Sequence, residues 1–436
     1  MIDLAQLRRE PEVVKAALAR RGVSPATMDE IVALDVEHRR LLQAAEGLRA
    51  EVKELSRLVG EARRDKNTAI ADELTDKSRA LGDLEREASE ATEVAGGALR
   101  EMLLMVPNLP APDVPDGVDE NDNVELRRWW VGMDQGAIFP TYADHQRVPH
   151  WDIGAELGIL DLEAGAKLAG SMFPLFRGAG ARLLRALGFF ALDRHMSDYE
   201  EIRPPSFALT ETMMSTGHLP KSADDMYAIE RDGLWAIPTA EVPLTSMHRG
   251  EILDEARLPI RMTAQTACFR REAGAAGRDT RGLLRVHEFD KVELFAYCTP
   301  EQAEAAHADI LRRAEGLLQA LGLTYRVLLL CTGDLGTSSA RTLDLEVFSP
   351  GVDRWLEVSS VSWFRDFQAR RANVRYRTAD GSTALVHTVN GSALAWARIW
   401  AALVETYRQS DGSVVLPDVL APYLGGDTTI PTRRSS

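Results

Sequence analysis

An arginine and a glutamate two residues apart, Arg270 and Glu272, sit in a stretch whose residue types could handle a nucleotide. Residues 263–269 are strand-like, a charge-dense run through Gly274, Gly277 and Gly282 follows, and residues 286–295 return as a second strand pattern. Two apolar runs around such a connection predict an antiparallel pair with a long loop. Residues two apart on a strand share a face, so Arg270 and Glu272 are expected to project together. A guanidinium can clamp a phosphate while the carboxylate receives an amino group, as a bound ATP would require. A solvated hairpin tip with a surface ion pair fits the same residues, because exposed pairs are common and weak.

Such a pair needs a scaffold. The 436 residues leave room for two or three domains, and 45% hydrophobic with 27% charged residues suits a globular enzyme. Asp3, Arg8, Arg9 and Glu10 interrupt any apolar run at the start, and no stretch has the length and apolarity of a membrane span. The expectation is a cytoplasmic protein with no membrane partner. A net charge of −15 argues against a protein that coats nucleic acid broadly, while leaving room for a local basic patch. Cys268, Cys298 and Cys331 lie in or beside apolar runs with no CxxC spacing, so they read as buried free thiols rather than zinc ligands. Neither GxGxxG nor GxxxxGK[ST] occurs, so neither a dinucleotide fold nor a P-loop is indicated.

Residues 1–110 read as helical. Ile31, Leu34, Leu41, Ala45, Leu48, Val52, Leu55 and Val59 form one seam of alternating three- and four-residue steps, with His38 its polar member. Ile70, Leu74, Leu81, Leu84, Ala88, Ala91, Ala95 and Ala98 form a second, broken by Lys77. This period of 3.5 predicts a coiled coil over about residues 28–105, folded back as an antiparallel hairpin or used as a dimerisation coil. At its tip Arg57, Arg63, Arg64 and Lys66 outnumber Glu61 and Asp65, which suits contact with phosphates. The Pro-rich, acidic segment 106–122 reads as a linker. Beyond it, residues 173–194 have a helical period and end in a strand and Pro204-Pro205, a shape that can pair across a two-fold axis. Strands then outnumber helices, with an expected helix from Ala393 to about Gln409, so the expected class is α+β with an antiparallel sheet and flanking helices.

These pieces, in this order, resemble bacterial-type seryl-tRNA synthetases, which are class II aminoacyl-tRNA synthetases. The resemblance rests on the helical arm, Val106-Pro107-Asn108, Thr239-Ala240-Glu241, Phe269-Arg270-Arg271-Glu272-Ala273-Gly274, Lys291-Val292-Glu293, Glu357-Val358-Ser359-Ser360, Asp366-Phe367-Gln368-Ala369-Arg370-Arg371 and Asn390-Gly391-Ser392. It implies a tRNA-binding arm over residues 1–110 and a class II catalytic domain over 111–436. The implied reaction joins serine to ATP as seryl-adenylate, then passes the acyl group to a tRNA ribose hydroxyl. By the same resemblance Arg270, Arg271, Glu272, Val286, Glu357, Val358, Ser359, Ser360 and Arg398 would surround ATP, with Arg270, Glu272 and Arg398 catalytic. Thr239, Ala240, Glu241, Arg270, Glu293 and Ser392 would surround L-serine. Glu357 and Ser360 would place Mg²⁺, hard oxygen ligands for a hard ion. The arm of a homodimer would grip the long variable arm of tRNA(Ser).

Some positions depart from that pattern. The usual Cys-Ser-Asn after the Ser359-Ser360 pair is Val361-Ser362-Trp363, a glycine is replaced by Ala393, Trp396 stands where a small or aliphatic residue is usual, and Thr337 replaces an aromatic. Trp363 could reshape a pocket wall, or the changes could be compensated repacking. Three readings follow: an active seryl-tRNA synthetase, a specialised or inhibitor-resistant paralogue with a reshaped pocket, and a catalytically silent tRNA-binding homologue.

Overall fold

The computed structural model describes residues 1–273 and 281–433, and of Leu394 only the backbone. The chain divides into two compact units, Ile2–Pro107 and Asn108–Ser436, the second including Met1.

In the first unit two short helices, Leu4–Arg9 and Pro11–Ala19, precede the long helices α1 (Pro25–Arg64) and α2 (Thr68–Met105). Each long helix starts where a side chain can satisfy its free N–H groups. Ser24 Oγ accepts from Thr27 N–H at 3.1 Å, with Pro25 at the first helical position. Asn67 Oδ1 accepts from Ile70 N–H at 3.4 Å, and Lys66, with φ of 55°, turns the chain between them. The helices run antiparallel: His38 faces Gly96, and Arg49 pairs with Glu85 at 2.9 Å. The first seam is placed as expected, with Ile31 and Ala45 buried. The second is placed only in part. Leu74, Leu81, Ala88 and Ala95 are half-buried as expected, but Ile70 and Leu84 are 47% and 52% exposed while Ala71, Thr92 and Leu99 are buried, so at alternate steps the inward position falls one residue later than in the expected repeat.

The second unit is built on one eight-stranded sheet. In chain order it contains β1 (Val124–Trp129), α3 (Ala179–Asp193), β2 (Glu200–Glu201), α4 (Glu241–Ser246), β3 (Ile260–Phe269), β4 (Glu288–Cys298), α5 (Ala303–Ala320), β5 (Tyr325–Leu329), β6 (Arg341–Ser349), β7 (Arg354–Arg365), α6 (Phe367–Ala372), β8 (His387–Ala395) and α7 (Trp396–Thr406). The strands lie in the order β1-β5-β6-β7-β8-β4-β3-β2. All neighbours are antiparallel except the short β2, which runs parallel to β3. This is the expected α+β arrangement. Helix α5 buries Ile310, Ala314 and Leu317, and α7 is fixed to the first turn of α3 by Trp400 Nε1 donating to Gly180 O at 3.2 Å. No helix among the described residues is long and apolar enough to cross a membrane.

Two further expectations fail for identifiable reasons. Residues 108–115 are not a solvated tether. Asn108 Nδ2 donates to Ser338 O (2.9 Å) and Phe364 O (2.8 Å), Ala111 N to Ala340 O (2.8 Å), and Ala111 and Val114 are buried with Leu330 and Leu335. Proline-rich backbone leaves most of its polar groups unbonded to itself, so they are free to pair with a neighbouring edge. The helix expected from Ala393 starts at Trp396 instead. Ser392 pairs with Glu293 and Leu394 with Val292, which leaves Ala393 as an extra residue in β8 and prolongs the strand.

Candidate active site

A cavity of about 480 Å³ is lined from strands β4, β7 and β8 and from the segments at residues 217–222, 239–241, 270–272, 283–286, 336–339 and 397–398. Strand alternation delivers Phe289, Lys291 and Glu293 from β4, Val358, Ser360 and Ser362 from β7, and Asn390 and Ser392 from β8. One irregularity adds a group that alternation would send away. Leu345 pairs with Ser359 and Glu346 with Glu357, so Val358 is unmatched and Glu357 joins the same wall.

Arg270 and Glu272 both reach this cavity, but not by sharing a strand face. Strand β3 ends at Phe269, and Glu272 adopts a left-handed conformation with φ of 53°. The turn is held by Asp225, whose carbonyl accepts from Arg271 N (2.8 Å) and whose Oδ1 accepts from Ala273 N (3.0 Å). The Arg270 guanidinium lies 5.2 Å from the Phe289 ring centre, and its Nε donates to Pro238 O at 3.4 Å. No carboxylate among the described residues lies within ion-pair distance of it, so its charge is left to the cavity. Glu272 Oε2 accepts from Arg285 Nε at 2.5 Å. Across the cavity Arg398, in the first turn of α7, donates through Nε to Leu284 O (3.0 Å) and through Nη1 to Glu357 O (2.7 Å).

At the other end two carboxylates share one pocket. Thr239 ties them together: its Oγ1 donates to Glu293 Oε2 at 3.1 Å and accepts from Glu241 N–H at 3.3 Å. Lys291 pairs with the same Glu293 oxygen, while Gln368 Nε2 donates to Glu241 Oε1 at 2.6 Å. Burial pushes both carboxyls above their ordinary range. Gln368, Lys291, Asn390 and Arg270 oppose that shift at Glu241; Lys291 and Thr239 oppose it at Glu293, where the Glu241 charge adds to it. A cationic substrate group bound here is therefore expected to compete with protons earlier than at an exposed carboxylate. In a pH series, the KM for such a substrate should rise as pH falls, before ordinary carboxylates titrate, while the KM for a ligand of Arg270 and Arg398 moves less. His218, hydrogen-bonded to Thr216 Oγ1 at 2.7 Å, lines the same end and is lowered to about 3 by burial and by Arg270, Lys291 and Arg371, so it stands neutral.

Of the residues singled out in the sequence, Thr239, Glu241, Arg270, Glu272, Val286, Glu293, Glu357, Val358, Ser360, Ser392 and Arg398 are brought to the cavity. Ala240, Arg271 and Ser359 are not. Ala240 is buried in a core cluster with Leu244 and Phe295, Arg271 is exposed, and Ser359 faces away on β7, its Oγ donating to Ser392 O at 2.6 Å. The Gly-rich loop residues 274–280 lie outside the described residues. Sequence reasoning missed Lys291 and Asn390 as cavity residues, and Gln368 as the buried group that holds Glu241 from behind. The signal for the first was present, since Lys291 is two residues before Glu293 on a strand.

A family model described as the seryl-tRNA synthetase N-terminal domain matches residues 1–110, and one described as the class II tRNA synthetase core domain (G, H, P, S and T) matches residues 227–407. The serine–tRNA ligase of Chloroflexus aurantiacus is 45% identical over 432 residues, covering 98% of this chain and 99% of its own. The chain belongs to the seryl-tRNA synthetases. That of Fervidobacterium nodosum is 44% identical, with 99% of this chain covered and 100% of its own. Among solved structures, a seryl-tRNA synthetase of Pyrococcus horikoshii complexed with ATP superposes with a TM-score of 0.89 at 36% identity, both chains covered completely.

Of the positions at which this chain departs from the usual seryl-tRNA synthetase pattern, Thr337 lines the cavity and the others named do not. Trp363 turns away, its Nε1 donating to His387 Nδ1 at 3.3 Å with Arg365 stacked on its ring. Val361 and Ala393 are in the core. Trp396 is buried against Gly188, where a Cβ would meet its ring at 2.4 Å, so that glycine makes the space this tryptophan fills.

Proposed function

We propose that this chain is a serine–tRNA ligase that forms seryl-adenylate from L-serine and ATP and transfers the seryl group to tRNA. One observation carries the reading: Thr239 Oγ1 links the buried Glu293 carboxylate to the backbone N–H of Glu241, in one cavity with an Arg270 that has no ion-pair partner among the described residues. Charge assigns the two ends of serine. Glu293 is already paired with Lys291 and suits the neutral hydroxyl, whereas Glu241 has no cation within ion-pair distance among the described residues and suits the α-ammonium. Arg270 then meets the serine carboxylate and the α-phosphate, bringing nucleophile and electrophile together and neutralising the charge that develops on the phosphoryl oxygens. Glu272 takes the adenine amino group and Arg398 the γ-phosphate. The carboxylate oxygen attacks the α-phosphorus and pyrophosphate leaves; a ribose hydroxyl then attacks the acyl carbon and AMP leaves.

Glu357 and Ser360 fit an Mg²⁺ ion, which would neutralise phosphate charge. The Glu357 carboxylate approaches Arg398 only at 3.9 Å, and the buried Asp344 Oδ1 nearby has no hydrogen-bond partner, the condition of oxygens arranged for a cation. The family resemblance further supports a cytoplasmic homodimer whose arm, through Arg63, Arg64 and Lys66, grips the long variable arm of tRNA(Ser). The paralogue with a reshaped pocket is not favoured, because Trp363 and Trp396 lie outside the cavity lining and, of the departures named, Thr337 alone reaches it.

The test is serine-dependent ATP–pyrophosphate exchange. A pocket that pairs the hydroxyl leaves Glu293 unsatisfied when alanine binds, so kcat/KM for alanine should be lower by roughly a thousandfold or more. Exchange absent with serine, or equal with alanine, would sink the reading.

A further inference from the structure

The two acids of the pocket are supported by unlike groups. Glu293 has a cation, Lys291; Glu241 has a neutral amide, Gln368, which is fully buried. Every polar atom of that amide is committed: Oε1 accepts from Thr388 Oγ1 (2.6 Å), and Nε2 donates to Glu241 Oε1 (2.6 Å) and Thr216 O (3.3 Å). The amide has one workable orientation, because flipping it would set its oxygen against a carboxylate and a carbonyl.

We propose that Gln368 is the positioning residue of the amino-acid pocket, holding one Glu241 oxygen so that the other faces the substrate's α-ammonium while adding no charge to compete with it. This rests on the reading of Glu241 given above. A lysine in that place would neutralise Glu241 and repel the ammonium; a cation beside Glu293 is harmless because a hydroxyl arrives there. The choice of support therefore sets the pocket for amino acids over hydroxy acids. The charged groups facing Glu241 are Arg270 after β3, Lys291 and Glu293 on β4, and beyond them the neutral His218 and Arg371 of α6. Arg371 Nη1 is engaged with Met214 O and Leu219 O.

Gln368→Glu keeps the shape and the Thr388 bond but replaces the donor by a second carboxylate. Bound to a proton, that carboxylate donates again. In the full-length protein, exchange assays at about pH 8.5 should show a serine KM raised by about tenfold to a hundredfold, with the ATP KM within about twofold. The serine KM should recover as pH is lowered to about 6.5, opposite to the unmodified protein, because proximity to Glu241 raises the new group's affinity for a proton. Gln368→Met should raise the serine KM without recovery at any pH. Thr388→Val, which frees the amide without changing charge, should raise it several-fold and serves if the first variants melt early. A serine KM unmoved in all three, or a Gln368→Glu pH slope equal to that of the unmodified protein, would overturn the inference alone. No serine-dependent exchange in the unmodified protein would overturn the reading of Glu241 and this inference with it.

Discussion

Arg270→Ala should lower serine-dependent ATP–pyrophosphate exchange by roughly a thousandfold or more, the scale on which phosphoryl-transfer sites respond to loss of a charge-stabilising arginine. Among the described residues the guanidinium has no partner that would compensate its charge: it rests on Phe289 and has one long bond, to Pro238 O at 3.4 Å. Its remaining donors are free for a carboxylate and a phosphate together, which a planar fork can serve and a point charge cannot. Arg270→Lys should therefore recover little. Since the side chain follows the end of β3 and supports no buried ion pair among the described residues, the thermal melt should stay within a few degrees of the unmodified protein. Exchange within tenfold of normal in the alanine variant, with the fold intact, would show that the phosphate is held elsewhere.

What the chain revealed before its structure, and what it hid, follows from the physics of each element. Strand alternation is local, so the cavity faces of β4, β7 and β8 follow once the strands and their inward residues are known. Irregularities are not local. Val358 and Ala393 are ordinary strand residues in sequence, and only cross-strand register shows them to be extra. Glu272 was expected on a strand face and arrives through a left-handed turn fixed by Asp225, far away in the chain. Gln368 illustrates the same limit: its motif was noticed, but its bond to Glu241 spans 127 positions. Hydrophobic periodicity in the arm gave the helices and not their facing residues, since His38, Gly96, Arg49 and Glu85 set the register by contacts between helices.

That register permits a clean excision. With 38 facing 96 and 49 facing 85, removal of residues 46–88 and closure by a short Gly-Asn turn shortens both helices at matched positions. The cavity-lining residues all belong to the second unit, so serine-dependent exchange should be unchanged. Charging of tRNA should fall by roughly a hundredfold or more, because the tip's cations go with the excised segment. These are not equivalent. Arg57 is already paired with Glu54 and Glu61, whereas Arg63, Arg64 and Lys66 are exposed and make no ion pair among the described residues. A triple alanine variant at those three should reduce the slope of log affinity for tRNA against log salt by about 2 to 3, near one unit per lost phosphate contact. Arg57→Ala should leave that slope nearly unchanged. If the shortened protein charges tRNA normally, or the triple variant keeps the full salt slope, the arm does not hold the tRNA and its phosphates are met by another surface.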